Sequence, residues 1–180
     1  MLMERGRALL LLVDVQERLV PAMSEPAPML ANCALLLKGA ARLGVPILAS
    51  EQYPKGLGPT VAELAELVPA EARLPKTEFA CGADPGIAAR LAAAGRDQVV
   101  LCGIEAHVCV QQTALGLKAA GCTPFVAADA TASRRAGNKA LALERMRANG
   151  IEVVSAEMVL FEWLGRAATP EFKDLSALIR

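Results

Sequence analysis

The chain has 180 residues, close to the roughly 150 per domain used as a length prior, so a single compact domain covering residues 1–180 is expected. Hydrophobic residues make up 54% and aromatic ones only 3%, which excludes a disordered chain and calls for a core of aliphatic layers. Nineteen basic and nineteen acidic residues cancel, without a Lys/Arg stripe interleaved with aromatics, so a nucleic-acid or anionic-membrane partner is not expected and a small molecule is.

The N-terminal apolar run from Ala8 to Val13 stops at Asp14, too short for a signal peptide core, and no stretch approaches the roughly 18 to 20 apolar residues of a membrane span. Five cysteines (Cys33, Cys81, Cys102, Cys109 and Cys122) form an odd set without CxxC pairs, which suits neither a disulfide framework nor a zinc cage. Reduced thiols and a cytoplasmic location are therefore expected.

In chain order, residues 8–14 read as a buried strand, and residues 26–44 place Met29, Leu30, Cys33, Leu36, Leu37, Ala40 and Ala41 at helical spacing up to Gly44. VPILAS (45–50) reads as a strand, a short helix follows near 60–67, and a third strand near 73–76 leads into KTEFA. A helix over 85–94 ends at Gly95, QVVLCG (98–103) is a strand, and residues 108–120 are helical up to Gly121. TPFVAA (123–128) is the fifth strand, 136–149 a helix ending at Gly150, and IEVVS (151–155) the sixth strand. C-terminal helices cover AEMVLFEWL and the last ten residues. Short apolar runs separated by amphipathic helices specify an α/β fold: a three-layer α/β/α sandwich with a six-stranded parallel, Rossmann-like sheet and right-handed crossovers.

In such sheets the ligand crevice lies beyond the carboxyl ends of the strands. Asp14 ends the first strand, Lys76 ends the third, and Cys109 follows the fourth at a helix start, where orphan N–H groups and the helix dipole favour a thiolate and lower its pKa. Taken singly, each has an ordinary reading: a buried small hydrophobe for Cys109, a helix cap for Asp14, a solvated charge for Lys76. The one histidine, His107, is two residues from Cys109 and points elsewhere, which argues against a Cys-His dyad. Cys33 and Cys102 fall at core positions, while Cys81 and Cys122 fall in loops. Asp129, ending the fifth strand, is expected to tie down the turn that follows it.

Five segments taken together, VDVQERL (13–19), EQYPKGLG (51–58), KTEF (76–79), GIEAHVCVQQTALGL (103–117) and DATASR (129–134), resemble the isochorismatase-like cysteine hydrolases over nearly the whole chain. The resemblance implies a catalytic triad of Asp14, Lys76 and Cys109, an oxyanion hole from the backbone N–H groups of Glu105 and Cys109, and a cis peptide between Ile104 and Glu105. The metal-binding nicotinamidase branch carries an Asp-x-His pair and a further His after the second strand. This chain has Glu51-Gln52-Tyr53 there and a single His in all, so neither a metal nor another cofactor is expected. True isochorismatases, which cleave a vinyl ether, lack the cysteine, so Cys109 implies hydrolysis of an amide-like or ester substrate. Gln16, Tyr53 and Phe79 are the candidate substrate contacts, and the C-terminal AEMVLFEWLG segment is a candidate apolar patch for a homo-oligomer. The rival readings are a catalytically inactive binding or scaffold protein that retains the fold, and a thiol-redox protein, which would need a resolving cysteine.

Overall fold

A computed structural model describes residues 1–179. Six strands, β1 (Ala8–Val13), β2 (Ile47–Gln52), β3 (Arg73–Lys76), β4 (Gln98–Ile104), β5 (Thr123–Ala132) and β6 (Glu152–Val154), form one all-parallel sheet in the order β3-β2-β1-β4-β5-β6. Every residue of β1 and β4 is buried, as strands covered on both faces must be. The helices that cover them are α1 (Pro26–Leu43), α4 (Pro85–Ala94), α5 (Gln111–Ala119), α6 (Ala136–Ala148), α7 (Ala156–Leu164) and α8 (Pro170–Ser176).

The expected elements are present, but β5 runs on to Ala132 in place of ending near 128, so Asp129 lies within it, and three further differences have physical reasons. The short helix near 60–67 is the single turn α3 (Ala62–Ala65), and a second, unexpected turn, α2 (Pro54–Leu57), precedes it; Pro59 between them keeps the two from joining, since a proline removes a donor and its predecessor avoids the helical region. Strand β2 runs two residues further than its apolar run, through Glu51 and Gln52, because those residues pair with Pro75 and Lys76 of β3. The helix expected over 108–120 opens as a π-turn, Ala106–Val110, before α5 begins. The helix expected over the last ten residues is α8, and Arg180 lies outside the described residues.

The core is aliphatic apart from Phe125 and Trp163, as the low aromatic content requires. Helix α1 buries Met29, Cys33, Leu36, Leu37 and Ala40 and is closed by Gly44 in the left-handed region. Its Gly39 packs against Leu160 of α7, where a Cβ would collide with the leucine side chain.

Order reverses between β1 and β4: the chain winds outward through β2 and β3, then returns to the other side of β1. That switch point is where open parallel sheets bind ligands. Val13 and Gly103 are register partners there, and Gly103 has φ +112° with a virtual Cβ overlapping the Val13 carbonyl oxygen. Only glycine adopts that backbone and permits that approach. Gly103→Ala should therefore destabilise the fold by about 3 kcal/mol and lower Tm by roughly 6–12 °C. Thermal denaturation followed by circular dichroism checks this, and an unchanged Tm would contradict it.

Candidate active site

Asp14 follows the last residue of β1 and takes a left-handed backbone, φ +52°, which Asp tolerates better than most residues. Its N–H donates to the Ser50 carbonyl on β2 at 3.1 Å. Lys76 is the last residue of β3, in register with Gln52. Its ammonium donates to Asp14 Oδ2 at 2.8 Å, and the pair has side-chain exposures of 0% and 1%. The same Nζ donates to Gln52 Oε1 and to the carbonyls of Glu78 (3.1 Å) and Phe79 (3.4 Å). Burial alone would depress the lysine pKa, but the Asp14 charge and hydrogen bond outweigh it and raise it above the ordinary value.

Cys109 sits within the π-turn and is buried. π-Bulges of this kind recur at functional sites. The expectation that its position at a helix start lowers its pKa is not met. Burial pushes the thiol up and the Asp14 carboxylate adds to this, while Lys76 pulls the other way without cancelling it. The helix proper begins only at Gln111, so Cys109 lies inside a turn and not at the N-terminus of α5. Burial and the nearby Asp14 charge thus favour the thiol over the thiolate at Cys109.

The peptide between Ile104 and Glu105 is cis. The Glu105 carbonyl accepts from the N–H groups of Val108 (3.0 Å) and Val110 (3.2 Å), on either side of Cys109 in sequence. Its carboxylate is buried and accepts from the backbone N–H of Arg134 (3.0 Å) and from Arg134 Nε (3.0 and 3.2 Å). His107 does not join Cys109: its Nδ1 is 3.0 Å from Ser133 Oγ and its Nε2 is 3.3 Å from Asn138. Asp129 accepts from the Ala156 N–H at 2.8 Å, so it ties down the start of α7 and not the turn that follows it.

Of the three candidate substrate contacts, Gln16 is fully buried, with its amide committed to Gln52 and Gly58 backbone groups at 2.7–3.0 Å. Tyr53 and Phe79 are exposed. Tyr53 lines a cavity of about 370 Å³ together with Pro54, Lys55, Pro75, Lys76 and Thr77. A second, of about 390 Å³, is lined by Arg134, Arg135 and Asn138. A larger apolar groove of about 590 Å³, lined by Ala88, Leu91, Leu117 and Cys122 among others, lies between α4 and α5 and includes no triad residue.

Sequence reasoning missed Ser50, Gln52 and Cys81. Ser50 Oγ donates to Asp14 Oδ1 at 2.6 Å, Cys81 Sγ lies 3.4 Å from Ser50 Oγ, and Gln52 fixes Lys76. Cys81 is not a loop bystander but buried in a 3₁₀ turn. The available signal was period two: Ser50 and Gln52 share one face at the carboxyl end of a strand between those of Asp14 and Lys76. Among the described residues no group of three or more His, Cys, Asp or Glu side chains is placed to hold a metal ion.

The profile of the isochorismatase domain matches residues 8–158. Isochorismatase domain-containing protein 1 of Salmo salar is 41% identical over 167 residues, covering 93% of this chain; the chain spans only 59% of that relative's length. Isochorismatase domain-containing protein 2 of Danio rerio is 36% identical over 174 residues, covering 96% of this chain and 86% of the relative. Among solved structures, one described as the MAR1 ribonuclease from Caenorhabditis elegans superposes with a TM-score of 0.93 at 30% identity, covering 99% of this chain and 92% of that one. The YcaC gene product of Escherichia coli, described as an octameric hydrolase of unknown specificity, has a TM-score of 0.93 at 22% identity, covering 98% and 90%. The chain belongs to the isochorismatase family and carries its hydrolase fold.

Proposed function

We propose that the protein is a cysteine-dependent hydrolase that cleaves a small amide-like or ester substrate through a covalent thioester on Cys109. The observation that carries this reading is the buried Asp14–Lys76 ion pair beside a buried thiol at the switch point of the sheet. Burying two charges costs several kcal/mol per ion, and apolar side chains of similar volume would serve stability as well or better. Such a pair next to a nucleophile is what proton transfer requires.

In the proposed cycle Asp14 accepts the thiol proton as sulfur attacks the substrate carbonyl carbon, and the carbonyl electrons move onto oxygen. The backbone N–H groups of Glu105 and Cys109 receive that oxyanion. Collapse expels the amine or alcohol, which takes the proton back from Asp14 and leaves the acyl group on sulfur. Water then attacks the thioester and gives its proton to Asp14; the sulfur leaves and is reprotonated, releasing a carboxylic acid. Lys76, locked by its acceptors, stays against Asp14 Oδ2 through the cycle and holds the carboxylate in place. The raised thiol pKa supports base-assisted attack and weighs against a free-thiolate redox protein. An inactive scaffold would not need the complete donor and acceptor set around Asp14 and Lys76.

Tyr53 and Phe79 are the exposed side chains next to Lys76 and its carbonyl partners, which supports them as substrate contacts; Gln16 frames the loops beneath. The five free cysteines support a cytoplasmic location, and no helix among the described residues is long and apolar enough to cross a membrane. The formal charge of zero offers no electrostatic footprint for RNA. Exposed Met158 and Phe161 on α7, with Leu178 beyond α8, support assembly with further copies of the chain, the arrangement named for the E. coli relative.

Cys109→Ala should abolish turnover of a small-amide, ureide or ester panel while leaving the fold intact, and rapidly quenched wild type should carry an acyl adduct on the Cys109 peptide by mass spectrometry. Full activity in Cys109→Ala would refute the mechanism. Asp14→Asn should reduce turnover about 100- to 10,000-fold. Exhaustive chelation should leave turnover unchanged; loss restored by zinc or iron would show that a metal is required. Light scattering at micromolar concentration should give a multiple of the 18.9 kDa chain mass, and the monomer mass would contradict self-assembly.

A further inference from the structure

An aspartate carboxylate turns about a broad, two-fold terminal torsion, so its side chain alone does not decide which lone pair meets the thiol. Here both oxygens are assigned. Oδ2 receives Lys76 Nζ at 2.8 Å, and Oδ1 receives the Ser50 hydroxyl at 2.6 Å. We propose that Ser50 is a positioning residue that fixes the Asp14 carboxylate for proton exchange with Cys109. The proposal rests on Asp14 acting as the base.

Three observations carry it. The 2.6 Å separation lies in the range of charge-assisted O–H···O⁻ bonds, and both residues are 1% exposed, so no water competes for the carboxylate from the bulk. Ser50 holds Asp14 twice, because its main-chain carbonyl also accepts the Asp14 N–H at 3.1 Å. Finally, the hydroxyl has one proton, and what lies behind it leaves that proton for Asp14. Cys81 donates its thiol to Ser50 Oγ (3.4 Å), and Thr113 on α5 accepts the Cys81 N–H at 2.9 Å. This chain joins β2 to α5, the helix that follows directly from the Cys109 turn, and so ties the base and the nucleophile to a common support. Around Asp14 the ionisable groups are Lys76, Cys109 and Cys81, and each is buried.

The test needs no substrate. The rate of Cys109 alkylation by iodoacetamide is measured against pH on the folded full-length protein, resolved by peptide mass spectrometry. Over the steady decline with falling pH that any thiol shows, wild type should show a further acid-side fall in rate, and Asp14→Asn should remove that further fall. Ser50→Ala should move the midpoint of that fall up by about one pH unit, since a donor lost from the carboxylate disfavours its charged form. Ser50→Thr, which keeps the hydroxyl, should restore it. A purely structural serine would lower Tm and slow alkylation evenly without moving the midpoint, and an unmoved midpoint in Ser50→Ala overturns the proposal. Should Ser50→Ala fail to fold, Cys81→Ala reads the chain one link further out: a smaller upward shift supports the role, and none overturns it. If Asp14→Asn keeps the wild-type fall, the base itself is misassigned and Ser50 falls with it, which separates that failure from a failure of Ser50 alone.

Discussion

Asp14 and Lys76 stand on strands that are not neighbours. Strand β2 lies between β1 and β3, and at about 4.8 Å per strand the two backbones are roughly 10 Å apart. A lysine stem is long enough to cross the end of β2 and deliver an ammonium to the carboxylate, which fixes both the residue type and its place at a strand terminus. Because the pair is dry, every remaining lone pair and proton needs a partner. That requirement reaches outward through the site: Gln52 and two carbonyls for Lys76, Ser50 for Asp14, Cys81 behind Ser50 and Thr113 behind Cys81. The polar residues of an otherwise apolar strand end are there because the ion pair is.

The same pair bears on Cys109, the proposed nucleophile. A thiolate in this pocket would face desolvation and the Asp14 charge, and Lys76 is already engaged by four acceptors. In the proposed mechanism a thiol thus stands beside its carboxylate base, where many cysteine enzymes hold a preformed thiolate beside a cation. In this arrangement the proton moves during attack, and the carboxylate geometry governs the rate more than the resting thiol pKa does.

Much of this was legible because strand ends are legible. An apolar run that stops at a charge marks Asp14, the end of the third strand marks Lys76, and the strand QVVLCG followed by Ile104–Val108 leads to Cys109. The parallel sheet and its six strands follow from the alternation of short apolar runs with amphipathic helices. What stayed hidden was whatever depends on register. Ser50 and Gln52 become partners of the ion pair only once β2 is known to pass between β1 and β3 and to extend to residue 52. The thiol pKa was misjudged for a related reason: helix-start arguments assume exposure, and burial inside a π-turn reverses the balance.

The oxyanion side of the site is built on different principles from the base side. There the backbone carries the proposed donors, and a side-chain pair, Glu105 with Arg134, anchors that backbone to the end of β5. Arg134 is largely exposed, 61% by side chain, and also lines one of the cavities, so its link to Glu105 joins a solvent-facing surface to a buried turn. Behind Asp14, by contrast, the chain of bonds from Ser50 through Cys81 to Thr113 runs from strand to helix among buried groups. A buried network tolerates few substitutions, because each leaves an unpaired partner, whereas an exposed rim can change at little cost to stability. Tyr53 and Phe79 are exposed beside Lys76, and Arg134 and Arg135 line a separate cavity. Physical constraint therefore separates a buried, fully partnered group around Asp14 from exposed side chains free to vary, and in the proposed mechanism proton transfer falls to the first and substrate choice to the second.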